Sequence, residues 1–190
     1  MNYYTNVMPL IFAAICLMLI SCSENSSGVK DSDEDIGEGI VNISGAFEAQ
    51  HEGFSWYVGL KVGDEGKYAN YTMNVSDVPA SEGDGSYNFT IRFFADDGPF
   101  ALTAGEYIIG EVDNGALVAG IYTNRSGSDL ISYGISPDSE GIVTIESITD
   151  NSVEASFDLR LDASPNTEDG IITVQGNLSA NCFTPTGPIC

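Results

Sequence analysis

The chemistry open to this chain is limited by one histidine and four cysteines among 190 residues. His51 stands beside Glu52, ahead of an apolar segment, in a stretch that reads as a solvated turn. Acid–base and nucleophilic catalysis near neutral pH lean on a group that titrates there. A Ser–His–acid site would have to be built on His51, yet the chain has no GxSxG and no serine set apart as a nucleophile. Catalytic zinc takes three protein ligands and structural zinc four, which the His and Cys supply does not meet. A glycosidase needs only two carboxylates at the right separation. With 28 Asp+Glu, such pairs arise by chance, and none is distinguished by its surroundings. No catalytic residue is assigned, and the chain does not read as an enzyme.

Calcium asks less of a sequence: six to eight oxygens held on loops. Asp64, Glu65, Asp96, Asp97 and Asp113 lie in Gly- and Asn-punctuated turns and are the candidate ligands for a structural Ca²⁺. Turn chemistry alone also accounts for them, because Asp and Asn hydrogen-bond locally there. Asp31, Asp33 and Asp35 begin like an EF-hand loop, but Ile36 and Asn42 stand where Gly and Glu are needed. No other cofactor is expected.

Sugar binding needs exposed aromatic platforms. Phe54, Trp56, Val58 and Leu60 share one strand face, which places Trp56 in the core. The opposite face carries Tyr57, and with Tyr68 and Tyr71 it supplies the candidate ligand-binding residues.

Cys16, Cys22, Cys182 and Cys190 divide by position. Val7–Ile20 is an uncharged apolar run of 14 residues, too short to span a bilayer and suited to the core of a secretory signal. It ends in Leu19-Ile20-Ser21-Cys22 and turns polar at once. These four residues resemble the bacterial lipoprotein box. The resemblance implies a signal over 1–21, cleavage before Cys22, and acylation of Cys22 on sulfur and nitrogen. Several acyl chains, at ~0.8 kcal/mol per buried CH₂, make a lasting anchor in the bilayer. Cys182 and Cys190 remain, eight apart around Pro185, Gly187 and Pro188. In an oxidising compartment they fit a terminal disulfide loop contributing roughly 2–3 kcal/mol.

Six Lys+Arg against 28 Asp+Glu give a net charge of -22. Nucleic acid is excluded as a partner, since phosphates need basic clusters. Residues 22–39 read as the lipidated Cys followed by an acidic disordered tether, with a reach of roughly 20–25 Å. An acidic stretch after the lipidated Cys also resembles the surface-export signal of Bacteroidota lipoproteins. By that resemblance the protein sits in the outer membrane and faces the medium.

Residues 40–190 read as one all-β domain. Tyr87, Phe89, Ile91 and Phe93 alternate with Asn88, Thr90 and Arg92. Val153, Ala155, Phe157, Leu159 and Leu161 alternate with polar residues in the same way. Period 2 marks strands with one buried face. Further strands are expected over 40–50, 54–62, 69–76, 105–112, 116–123, 129–135, 141–148 and 170–179. About ten antiparallel strands predict a β-sandwich, with a flattened lipocalin-like β-barrel as the alternative.

Phe47-Glu48-Ala49 with Phe54-Ser55-Trp56, the strand start Gly105-Glu106-Tyr107, and the hairpin from Gly141–Ile145 to Val153–Phe157 resemble small Bacteroidota lipoproteins with a C-terminal all-β domain. The resemblance implies fold and location but no activity. The expected function is a non-catalytic module that binds a glycan, an extracellular polymer or a protein partner. A small-ligand carrier is an alternative, favoured if Tyr87, Phe89 and Phe93 line a cavity. An accessory hydrolase using two loop carboxylates is another.

Overall fold

The computed structural model describes residues 37–63, 66–83, 85–126, 129–134, 139–165, 167 and 170–183. The expected signal, Cys22, most of the tether, Asp64, Glu65 and Cys190 lie outside these residues.

Eleven strands follow in order: β1 (Gly37–Gly45), β2 (Ala49–Val62), β3 (Lys67–Ser76), β4 (Tyr87–Ala95), β5 (Gly105–Ile108), β6 (Val112–Asp113), β7 (Ala116–Ser126), β8 (Asp129–Gly134), β9 (Glu140–Ile148), β10 (Ser152–Ala163) and β11 (Ile171–Cys182). A 3-10 turn, Ala80–Glu82, lies in the β3–β4 connection. The expected strand over 105–112 is two short pieces, broken at Gly110, where φ is +77°.

Strands β1-β2-β3-β4-β7-β8-β10-β11 pair in that circular order, and β1 closes the ring by pairing both β2 and β11. The fold is therefore a closed eight-stranded antiparallel barrel with extra strands, the alternative to the sandwich. Closure removes the exposed edges that an open sheet would present. Between β7 and β10 the wall is filled twice. At one end β8 meets β10 through Asp162↔Gly134 and Ala163↔Tyr133. At the other, β9 pairs β10, β5 pairs β9, and Ile109 bridges to Val118 of β7.

The period-2 strands point as their sequences predict. Tyr87, Phe89, Ile91 and Phe93 of β4 are buried, as are Val153, Ala155, Phe157, Leu159 and Leu161 of β10. An eight-stranded barrel has an interior just wide enough for side chains to fill it. Here aromatic rings do so: Phe89 packs on Phe157 at 4.6 Å between centroids, and Phe93 meets Tyr107 edge-on at 5.1 Å.

Strand β2 departs from expectation. Its inward face is Ser55, Tyr57 and Gly59, and its outward face is Phe54, Trp56, Val58 and Leu60; Trp56 is nevertheless buried as expected, at 8% exposed. Both faces are apolar enough to be buried, so β2 alone does not choose. Its partner decides. On β3, Asn70, Thr72 and Asn74 seek water while Tyr71, Met73 and Val75 are buried. Residues directly opposite share a face. The register Ser55↔Val75, Tyr57↔Met73 and Gly59↔Tyr71 therefore turns the odd residues of β2 inward.

Candidate functional site

The tyrosines expected to form an exposed platform are inside the barrel. Tyr57, Tyr68 and Tyr71 are 1%, 7% and 0% exposed. Tyr57 stacks on Tyr71 at 4.9 Å, and Tyr68 meets Tyr71 edge-on at 5.0 Å. Gly59 makes this possible, since a Cβ there would press into the Tyr68 ring. The Tyr57 hydroxyl donates to the Asp150 carbonyl at 3.0 Å. Burial, with the neighbouring Tyr68 and Asp150, pushes the Tyr57 phenol up to about 12. Burial also raises Tyr71, whose hydroxyl has no hydrogen-bond partner among the described residues. The three are core, not a glycan platform.

Asp64 and Glu65 lie outside the described residues, and the other loop acids do not converge. Asp96 and Asp97 are exposed and Asp113 is half-buried. Among the described residues, no three His, Cys, Asp or Glu side chains stand close enough to hold a metal ion. Tyr87, Phe89 and Phe93 belong to the core cluster, Phe89 against Phe157 and Phe93 against Tyr107. Cys182 is disulfide-bonded.

His51 lies in β2, not in a solvated turn. It is half-buried at one end of the barrel, on the inward face set by the β3 register. Its ring stacks on Tyr87 of β4 at 4.0 Å, and its Nε2 is 2.9 Å from the Tyr122 hydroxyl of β7. Asn124 donates from Nδ2 to the same hydroxyl at 2.9 Å. Tyr122 is then free to donate to a neutral imidazole. Phe47, in the β1–β2 turn, packs on Tyr122 and on Tyr133 of β8.

Burial lowers the His51 pKa, and the carboxylate of Asp77 opposes this in part. Asp77 is itself held: Ser86 donates to it from its hydroxyl and its backbone N–H. Burial works to raise the Asp77 pKa, but the bonds from Ser86 and Tyr87 outweigh it and leave it lowered. Gly53 lets Tyr87 reach this position, because a Cβ there would run into the Tyr87 hydroxyl and the Ser76 carbonyl. The hydroxyl beside the imidazole is that of Tyr122. What the cluster does is lock four strands together.

Charge is unevenly spread over the outer wall of the barrel. Strands β2, β3, β4 and β7 are neighbours in the ring. They carry Lys61, Lys67, Arg92 and Arg125 against Glu52 alone: four of the chain's six bases and one of its 28 acids. Strands β8, β9 and β10, across the barrel, carry Asp129, Glu140, Glu146, Glu154, Asp158 and Asp162 against Arg160 alone. Arg160 pairs there with Glu140 at 3.3 Å.

On the acid-poor wall the outward side chains run in cross-strand rows. One row is Val58, Thr72, Arg92 and Ala119; the next is Trp56, Asn74, Thr90 and Ile121. The Thr90 hydroxyl is 3.0 Å from Asn74 Oδ1 and 3.2 Å from Asn88 Oδ1, and Thr72 donates to Asn70 Oδ1 at 2.9 Å. Leu60 and Val62 stand exposed along the β2 margin. Beyond the other margin of β2, a groove of about 430 Å³ between β1 and β2 has Ile40 and Phe54 exposed, ringed by Glu38, Glu52 and Asp77.

Sequence reasoning missed both features. The signal for His51 was the alternation on β3, which sets the phase of β2. The signal for the wall was the absence of acids from three of four strand segments, visible once those strands are known to be neighbours. Comparison with protein families, curated proteins and solved structures returned no match.

Proposed function

We propose that this chain is a lipid-anchored cell-surface lipoprotein of the outer membrane. In this reading its barrel is a non-catalytic binding module that meets a glycan, an extracellular polymer or a protein on the β2-β3-β4-β7 wall. The observation that carries the module reading is the charge segregation: an acid-poor, hydrogen-bonding wall on a chain of net charge -22. A partner approaching the opposite wall would have to desolvate carboxylates, which is costly without matched cations. The packed interior favours an outer contact over a carrier function.

The anchor reading rests on the Leu19–Cys22 box and the uncharged apolar run before it. Its test is Cys22→Ala, which should move the protein from the membrane fraction to the soluble fraction. A variant that still sediments with membranes would refute the anchor. Protease added to intact cells should digest the barrel, and full protection would place it on the periplasmic side.

A further inference from the structure

We propose that the β2-β3-β4-β7 wall binds an anionic polysaccharide, a chain of sugar rings bearing carboxylate or sulfate groups, with Arg92 as its central contact. The inference deepens the module reading above and rests on it. Three observations select the ligand chemistry.

The first is charge. The four strands carry four bases against one acid in a chain that is otherwise strongly acidic. These four neighbouring strands carry more bases than acids, so a polyanion is repelled least along them.

The second is Arg92. It projects outward from the middle of β4, between Thr72 and Ala119. Its guanidinium lies 5.7 Å from the Phe94 ring centroid. Its Nε is shielded from water and has no hydrogen-bond partner among the described residues. A planar guanidinium on the outer face matches a carboxylate or sulfate edge, often through two bonds at once.

The third is the direction of the hydrogen bonds around it. The Thr72 hydroxyl donates to Asn70 Oδ1 at 2.9 Å, and the Thr90 hydroxyl to Asn74 Oδ1 at 3.0 Å. The amide nitrogens of Asn70 and Asn74 keep their hydrogens for outside acceptors. The wall thus offers donors, and an acid-substituted sugar chain offers acceptors along its length. Leu60, exposed along the β2 margin, and Phe94 supply apolar surface for the C–H faces of sugar rings.

The test is affinity electrophoresis of the full chain in mild non-ionic detergent, through native gels containing polygalacturonate, dextran sulfate or unmodified dextran. The chain's own negative charge works against nonspecific retention on a polyanion. Retardation by polygalacturonate or dextran sulfate, at concentrations where dextran has no effect, is the expected result. Arg92→Gln should weaken the interaction by at least about tenfold, the scale of losing a charge-assisted hydrogen bond. Asn74→Asp, which adds a carboxylate to the same wall, should weaken it as well. Arg160→Gln, on the opposite wall, should leave it unchanged. An unaltered near-ultraviolet circular dichroism spectrum shows that each variant is folded.

Equal retardation by dextran, or binding unaffected by both Arg92→Gln and Asn74→Asp, would overturn the anionic ligand and leave the module reading standing. No retardation by any of the three polymers would overturn the glycan reading as well and point to a protein partner.

Discussion

His51 lies flat on Tyr87, with ring centroids 4.0 Å apart and planes 20° apart. The stack draws the only imidazole of the chain out of water and into a hydrogen bond with Tyr122. Its consequence is a pH dependence of stability. Burial lowers the folded-state pKa of His51 below the ordinary 6.5 of a histidine, so the unfolded chain binds the proton more readily. Stability from this group is fully present above about pH 6.5 and is lost as pH falls through that value towards the folded pKa. Urea midpoints between pH 5 and 8 should drop on the acid side. His51→Phe keeps the stack, loses the Tyr122 bond at a cost of about 1 kcal/mol at neutral pH, and removes this acid-side loss. If the two proteins show parallel pH profiles, His51 is not the titrating group.

Gly53→Ala should be destabilising out of proportion to one methyl group. The new Cβ meets the Ser76 carbonyl and the Tyr87 hydroxyl, both fixed by the β2–β3–β4 register. Overpacking of this kind costs about 1–3 kcal/mol. Thermal unfolding should show a Tm lower by several degrees for a domain of this size. An unchanged Tm would mean that the strands yield there.

Two tyrosine hydroxyls in one ring stack should respond in opposite directions. The Tyr57 hydroxyl donates to the Asp150 carbonyl, so Tyr57→Phe should cost about 1 kcal/mol. The Tyr71 hydroxyl is buried without a partner among the described residues, so Tyr71→Phe should be neutral or stabilising by about 1 kcal/mol. Denaturant unfolding of both variants gives the comparison directly.

The same burial predicts weakness in alkali. Desolvation, reinforced by nearby anions or phenols, raises Tyr57 and Tyr87 to about 12, while an unfolded tyrosine ionises near 10.0. Stability from these phenols is complete below pH 10 and is lost as pH rises towards the folded values. Absorbance at alkaline pH should show a late phenolate step in the native protein that merges with the normal step in denaturant.

Much of this was legible in the chain. The alternation in 87–93 and 153–161 specifies both the strands and their buried faces, because polar residues at every second position leave one solution. The turns at Asp96–Pro99 and Asp113–Gly115 follow from residues that tolerate tight backbone. Segment 54–62 carried no such instruction. Phe54, Trp56, Val58 and Leu60 are as apolar as Tyr57 and its neighbours, and the larger set was the natural choice for the core. The small residues Gly53 and Gly59 argue the other way only when the rings they accommodate, Tyr87, Tyr68 and Tyr71, are known to stand over them.

By itself, the sequence determined the β class, most strand positions and the total charge, since each depends on residue type and local spacing. Only the tertiary structure decided closure, the phase of β2, the burial of Tyr57, Tyr68 and Tyr71, and the pairing of His51 with Tyr122. Each of these depends on which strand lies beside which, a long-range relation that no local period encodes. The charge segregation has the same origin. Acid-poor segments separated by acidic loops become one continuous wall because β2, β3, β4 and β7 are hydrogen-bonded neighbours.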